Sequence, residues 1–154
     1  MWVALGHHDC GALGDHLRDA YRATPELFSG FIEAVCQRLR TAPAARAARI
    51  EQLIEAQAWT DAALALIELE LPQWQLRRIA YDGGEWHCAL SRQRELPDWL
   101  DQSIEASHPD LALAILGALV ETKRVTARST RPSVPSAPLK LNPSCVPACC
   151  DNFA

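Results

Sequence analysis

The side chains best suited to chemistry follow the double glycine Gly83-Gly84. His87 and Cys88 are adjacent there, and a histidine near a cysteine is the pairing that activates a thiol nucleophile. Adjacent residues of a strand point to opposite faces, so on a strand these two side chains do not meet. The sequence therefore favours a buried Cys88 with His87 on the opposite face, and it assigns no catalytic residue.

The candidate ligand-binding face consists of Arg77, Tyr81 and His87, at odd positions of two predicted strands. Arginine and aromatic side chains on an open sheet face are typical of proteins that stack single-stranded nucleic acid. The net charge of −4 weighs against that class, because neutralisation of phosphates supplies most of the affinity for nucleic acid. Weak binding of single strands remains an alternative function.

Two groups of residues have the composition of metal ligands. Cys145, Cys149 and Cys150 lie close together in a Pro-rich segment, but structural zinc needs four ligands and no histidine lies near them unless a dimer supplies the rest. A second group near the start of the chain comprises His7, His8, Asp9, Cys10 and His16. We favour a protein without metal or cofactor. A metal-dependent or enzymatic protein that uses His87, His108 or the terminal cysteines is an alternative.

Helical periodicity dominates the elements that precede these residues. Residues 1–23 are predicted to be poorly ordered, with a short helix over 15–22 because glycines interrupt the earlier part. Thr24 and Pro25 suit the start of an amphipathic helix, in which apolar residues continue to Leu39. Further helices are predicted over 44–57 and 59–69, or one long bent helix in their place.

The strongest strand signal is a hairpin around Asp82-Gly83-Gly84. A three-residue loop would pair Tyr81 with Glu85 and place the even-numbered residues on one apolar face. That face would contain Trp74, Leu76, Ala80, Trp86, Cys88 and Leu90. A short helix is predicted over 97–106, a capping box at Ser107 to Asp110, and a nearly all-apolar helix over 110–123 that should be the most buried.

These elements predict an α+β fold, with helices packed on one face of a two-stranded antiparallel hairpin and a disordered C-terminal tail. The domain boundaries are a poorly ordered segment 1–23, one domain 24–124 and a disordered Pro/Ser-rich tail 125–154. No apolar run is long enough to span a membrane and no signal peptide is recognised, so we expect a cytoplasmic protein. The expected function is non-catalytic binding or interaction, with a homodimer formed through a hairpin edge.

The chain resembles short uncharacterised proteins of soil α-proteobacteria. The resemblance covers residues 26–124 and includes the segment WQLRRIAYDGGEWHCALSRQRELPDWLDQSIEASHPDLALAILGALVE. Those proteins share the Trp-hairpin-Trp-His-Cys segment and the apolar helix that follows His-Pro. The resemblance implies no activity. The order of a hairpin with tryptophans, a linker and an Ala/Leu-rich helix is also similar to the αβα sandwich domain of phage-derived proteins, which implies no catalytic residues either.

Overall fold

The computed structural model describes residues 10–93, 95–97 and 100–129, and within them the fold is α+β, as predicted. The sheet has three antiparallel strands in the order β1-β2-β3, so the expectation of a two-stranded hairpin was one strand short. In chain order the elements are α1 (Cys10–Asp19), α2 (Pro25–Val35), α3 (Gln37–Thr41), α4 (Ala44–Glu55), α5 (Trp59–Glu70), β1 (Gln75–Asp82), β2 (Glu85–Ser91), β3 (Ile104–His108) and α6 (Leu111–Ser129).

The start of α2 follows the sequence signals. The Thr24 hydroxyl accepts a hydrogen bond from the Leu27 amide at 3.2 Å, and Pro25 occupies the first turn, where its missing N–H costs nothing. The helix buries Phe28 and Phe31 completely. It ends at Val35 rather than continuing to Leu39, and α3 follows after the single residue Cys36.

The helices α4 and α5 are separate rather than one bent helix. Gln57 takes a left-handed conformation, with φ of 57°, just after α4 ends. The Gln57 amide donates to the Ile54 carbonyl and the Ala58 amide donates to the Leu53 carbonyl, which is the hydrogen-bond pattern of a Schellman motif. This turn satisfies the last carbonyls of α4 and redirects the chain into α5.

The hairpin has a two-residue loop, and its register differs from the prediction by one position. Gly83 and Gly84, at φ of 60° and 92°, form the loop, and Asp82 pairs with Glu85. Ile79 is therefore opposite Cys88, and Tyr81 is opposite Trp86, on the face that packs against the helices. A bulge between Leu76 and Arg78 then restores the pairing of Leu76 with Leu90. The predicted even face is thus correct for Leu76 and for β2, but wrong for residues 78–81.

The segment 97–106, predicted as a helix, instead contains a single turn and then a strand. The amides of Leu100 and Asp101 both donate to the Pro97 carbonyl. Ile104–His108 pairs antiparallel with β2 as β3. Glu105 and Ser107 are exposed, whereas Ile104, Ala106 and His108 are partly or fully buried. This alternation is the period of a strand with one covered face.

Helix α6 is the centre of the core, as its composition predicts. It packs against β2 and β3 on one side and against α1 and α5 on the other. Leu113, Ile115, Leu116 and Leu119 are all fully or almost fully buried. At Gly117 the approach to β3 is close, since a Cβ added there would lie 3.3 Å from Ala106 Cβ. A larger residue at 117 would push the helix away from the sheet.

Two boundaries differ from the predicted domain limits. Helix α1 begins at Cys10 and buries Leu13 and Leu17, although Gly14 lies within it and residues 1–23 were predicted to be poorly ordered. The glycine is tolerated because packing against α6 supplies the stability that its propensity lacks. Helix α6 continues to Ser129, so residues 125–129, assigned to the tail, are helical. The rest of the predicted tail lies outside the described residues.

Candidate functional site

The structure does not bring Arg77, Tyr81 and His87 together. Tyr81 lies on the helix-covered side of the sheet at the hairpin end, with its ring centroid 5.0 Å from that of Trp86. Arg77 lies at the bulge and contacts the segment between β2 and β3. Only His87 is on the uncovered face. These side chains are separated because the two-residue loop shifts β1 by one position against β2.

The uncovered face carries a small charged group in place of the predicted one. Glu105 Oε1 lies 3.5 Å from Arg78 Nη2 and 3.4 Å from His87 Nδ1, so one carboxylate joins all three strands. The pairs are solvent-exposed, and exposed ion pairs of this kind contribute about 0–1 kcal/mol each. The Glu105 carboxylate also lines a groove along the free edge of β3.

Arg77 belongs to a structural network that centres on Asp101. The Ser91 hydroxyl donates to Asp101 Oδ1 at 2.7 Å, and Arg77 Nη1 lies 2.8 Å from Asp101 Oδ2. Among the described residues, Asp101 Oδ2 accepts no hydrogen bond, so its contact with Arg77 is an ion pair. Arg77 Nη2 also donates to the Leu96 carbonyl. The network fastens the segment between β2 and β3 to the bulge of β1.

His108, a candidate for enzymatic chemistry, is also used structurally. Its Nδ1 accepts a hydrogen bond from the Asp110 amide at 2.8 Å, which leaves the proton on Nε2 to be donated to the Ala20 carbonyl. Asp110 is the N-cap of α6 rather than the last residue of a capping box, since its carboxylate accepts from the amides of Leu113 and Ala23. These bonds fasten the α1–α2 connection to the start of α6.

A third polar network lies inside the helical layer. The Glu70 carboxylate accepts hydrogen bonds from the Leu39 amide and from Lys123 Nζ, which also donates to the Val35 carbonyl. Glu70 is buried, with 1% of its side chain exposed. The network satisfies the free backbone groups at the break between α2 and α3 and joins them to α5 and α6.

The two cysteines of the described core behave as apolar groups, which agrees with the interpretation of Cys88 as buried. Burial raises the pKa of the Cys36 thiol from 9.0 to about 12, reinforced by Glu70 and opposed by Lys123. Burial likewise raises the pKa of Cys88 to about 12, with a smaller contribution from Glu105. Neither thiol is a nucleophile at neutral pH, because the thiolate is the reactive form.

The raised pKa of Cys88 predicts a loss of stability in alkali. The unfolded thiol loses its proton near pH 9 and the folded thiol only near pH 12, so deprotonation favours the unfolded chain between these values. We expect wild type to lose about 1.4 kcal/mol per pH unit more than a Cys88→Ala variant from pH 9.5 to 11. Urea titrations at several pH values measure this difference, and parallel pH profiles for the two proteins contradict it.

The described residues also form a groove along the free edge of β3. It has a volume of about 590 Å³, which is in the range of sites that bind ligands. One wall is the backbone of β3 and the other is α1, while α6 forms the floor through Leu113 and Gly117. Arg18, Glu121 and Arg124 line its rim, where Glu121 lies within 4 Å of both arginines.

A second groove, of about 460 Å³, lies near the C-terminal end of α6. Its lining includes Trp74, Asp101 and Val125, and Arg92 stacks on the Trp74 ring at 4.8 Å. The buried carboxylate in this groove is that of Asp101, and it is paired with Arg77 and Ser91.

The structure tests only part of the predicted metal chemistry. Among the described residues, no group of three or more His, Cys, Asp or Glu side chains has the geometry of a metal site. Cys145, Cys149 and Cys150, together with His7, His8 and Asp9, lie outside these residues. No helix in the described ranges is both long enough and apolar enough to cross a membrane.

Comparison with known proteins adds no relative: no family model, curated protein or solved structure matches the chain. The sequence does not predict this site, because its pattern over residues 97–106 favours a helix where β3 begins. The alternation of Ile104, Glu105, Ala106, Ser107 and His108 is the signal that identifies the strand.

Proposed function

We propose that this protein is a non-catalytic interaction module that binds an extended peptide segment of a partner at the free edge of β3. The observation that carries this proposal is the groove between the unpaired edge of β3 and α1. An edge strand offers free amide and carbonyl groups to an incoming strand, and a groove beside it holds alternate side chains.

The edge of β3 suits this role better than that of β1. The bulge at Arg77 interrupts β1, and bulges are one of the devices that prevent pairing at an edge. No bulge occurs in the pairing of β3 with β2, and no described strand covers its other side. A regular strand of five residues with an adjacent groove is therefore the better template.

The two sides of β3 define the preferred peptide. Ala106 lies on the side of the groove floor with Leu113 and Gly117, so the residues of an added strand on that side should be apolar. Glu105 and Ser107 are on the exposed side, where a basic residue of the peptide would meet the Glu105 carboxylate. The expected ligand alternates apolar and basic residues.

An NMR titration of the full chain with acetyl-Val-Lys-Val-Lys-Val-amide tests the proposal. We expect the amide resonances of Ile104–His108 to shift more than those of Gln75–Asp82 in β1. Two N-methylated versions of the peptide are the control. Methylation of alternate amides on the side that faces β3 should weaken binding about tenfold or more, whereas methylation of the other amides should be tolerated. Equal effects of both methylation patterns, or no binding, would overturn the proposal.

Charge reversal at Glu105 checks the orientation of the peptide. Glu105→Lys should weaken binding of the lysine peptide about two- to fivefold and favour acetyl-Val-Glu-Val-Glu-Val-amide, because exposed ion pairs contribute up to ~1 kcal/mol. Glu51→Lys is the matched control, since Glu51 is exposed on α4 and distant in sequence from the groove. A similar effect of both substitutions would indicate attraction by the whole protein and not by β3.

The other functions predicted from the sequence have less support. A homodimer through a hairpin edge would have to use the bulged edge of β1, because β2 is the central strand. Binding of single-stranded nucleic acid has less support, because Arg77 and Tyr81 do not lie beside His87 on one face of the sheet. An enzymatic function through His108 has less support because both of its ring nitrogens are already used in hydrogen bonds, to the Asp110 amide and the Ala20 carbonyl. His87 lies beside Glu105 in an exposed ion pair. We retain the peptide-binding proposal.

A further inference from the structure

We infer that the groove along β3 binds the carboxyl-terminal end of a partner chain, which runs antiparallel to β3 and places its terminal carboxylate between Arg18 and Arg124. This inference rests on the proposed function, because it uses the same groove and the same strand edge. It adds which part of the partner binds and in which direction that part lies.

The two arginines lie at the end of the groove where β3 begins. Helix α6 follows β3 after a turn of two residues and packs back along it, with Gly117 next to Ala106. Glu121 is four residues further along α6, a distance of about 6 Å at 1.5 Å per residue. Two residues of a strand cover nearly the same distance, and Ile104 is two residues before Ala106. Glu121 and the two arginines it contacts are therefore level with Ile104.

Both guanidinium groups are accessible to a ligand. The side chains of Arg18 and Arg124 are 64% and 38% exposed. Their nitrogens lie 3.7 Å and 3.4 Å from Glu121 Oε1, whereas a hydrogen bond between a guanidinium and a carboxylate is about 2.7–2.9 Å long. Arg18 also pairs with Asp15 at 2.8 Å. Since each guanidinium has five N–H donors, a ligand carboxylate can bind both groups more closely than Glu121 does.

The opposite end of the groove carries a negative charge. Trp86 pairs with His108, and Glu85, the preceding residue of β2, lines the groove at that end. A strand antiparallel to β3 ends beside Ile104, where the arginines are. A parallel strand would instead end beside Glu85, where two carboxylates repel each other. The charges at the two ends therefore favour the antiparallel direction.

The regular edge of β3 also ends at Ile104. Its pairing with Leu90 is the last of the ladder between β2 and β3, and the preceding residues belong to the segment that Asp101 holds against β1. Beyond this point an added strand has no further residue of β3 to pair with. A chain that stops there uses the whole edge and brings its terminal carboxylate to the arginines.

Isothermal titration of the full chain with three peptides tests this inference. We expect acetyl-Val-Lys-Val-Lys-Val with a free C-terminus to bind about five- to tenfold more tightly than its C-terminal amide, because charge-assisted hydrogen bonds are the stronger ones. A third peptide adds Pro-Pro before the free C-terminus. Its carboxylate lies beyond the edge, and the prolines cannot replace strand residues, so it should bind like the amide. Equal binding of the two peptides that have a free C-terminus would overturn the inference.

Two protein variants test whether the arginines cause the preference. Arg18→Gln/Arg124→Gln should bind the free acid and the amide equally. The matched control, Arg46→Gln/Arg49→Gln, removes two charges from exposed positions of α4 that do not line the groove, and it should keep the preference. Unchanged affinity for the amide shows that both variants are folded. A preference that survives in the first variant, or is lost in both, would contradict the inference.

A nitroxide label at the N-terminus of the free-acid peptide checks the direction. In NMR spectra of the complex, the label should broaden the amide resonance of His108 more than that of Ile104. Stronger broadening of Ile104 would rule out the antiparallel strand.

The same titrations separate failure of this inference from failure of the proposed function. If the free acid and the amide bind equally well and shift the β3 resonances, capture of a C-terminus is rejected and β3 remains a peptide site. If neither peptide binds, the proposed function itself is wrong.

Discussion

Replacement of Lys123 by methionine is expected to lower the free energy of unfolding by about 3–5 kcal/mol. The substitution leaves the Glu70 carboxylate buried with only the Leu39 amide as a partner, and it removes the donor to the Val35 carbonyl. A buried charge without its counter-charge is among the largest single destabilising effects known in proteins. Urea denaturation of the full chain measures the loss.

Two further variants identify the cause of this loss. The double variant Glu70→Leu/Lys123→Met should be more stable than the sum of the single effects predicts, because it buries no unpaired charge. Arg124→Met removes the next positive charge of α6, whose partner Glu121 is partly exposed, and should cost less than about 1 kcal/mol. If Arg124→Met costs as much as Lys123→Met, the network around Glu70 is not the reason.

Asp101→Ala is expected to cost about 2–4 kcal/mol and to loosen the segment between β2 and β3. The change leaves Arg77 partly buried without its carboxylate and removes the acceptor of the Ser91 hydroxyl. Two measurements apply: thermal unfolding for the global effect, and trypsin cleavage after Arg92 for the local one. Cleavage should be several times faster in the variant, because the segment is then held by fewer contacts.

The control for Asp101 is an ion pair of similar distance on the surface. Asp15 lies 2.8 Å from Arg18 on α1, with both side chains mostly exposed. Asp15→Ala should change stability by less than about 1 kcal/mol and leave cleavage after Arg92 unchanged. Unchanged stability and cleavage in Asp101→Ala would show that the ordering of this segment depends on other contacts.

The sequence predicted those elements whose signals are local. Thr24 and Pro25 mark the start of α2 through a hydrogen bond that closes within four residues. Gly83 and Gly84 mark the turn because they adopt positive φ without steric cost. The apolar surface of α6 indicates burial on all sides, and its buried residues confirm it. Because α6 is apolar on all sides and not along one face only, its central place in the core can be predicted from the sequence.

Other features depend on contacts that are distant in sequence. The choice of a two-residue over a three-residue loop changed the side on which Tyr81 lies, and only the pairing with Trp86 decides between the two. The strand Ile104–His108 is short, and pairing with β2 stabilises it against the helix that the preceding proline suggested. The groove along β3 could not be predicted while that strand was missing.

The central place of α6 has a consequence for how the chain acquires its structure. The bonds from Ala20 to His108, from Ala23 to Asp110 and from Val35 to Lys123 join residues 87 or 88 positions apart. During synthesis, the buried residues Leu13 and Leu17 of α1 are made long before α6, against which α1 packs. The early helices must therefore remain incompletely packed on the nascent chain until α6 arrives, and the slow step of folding should be its docking.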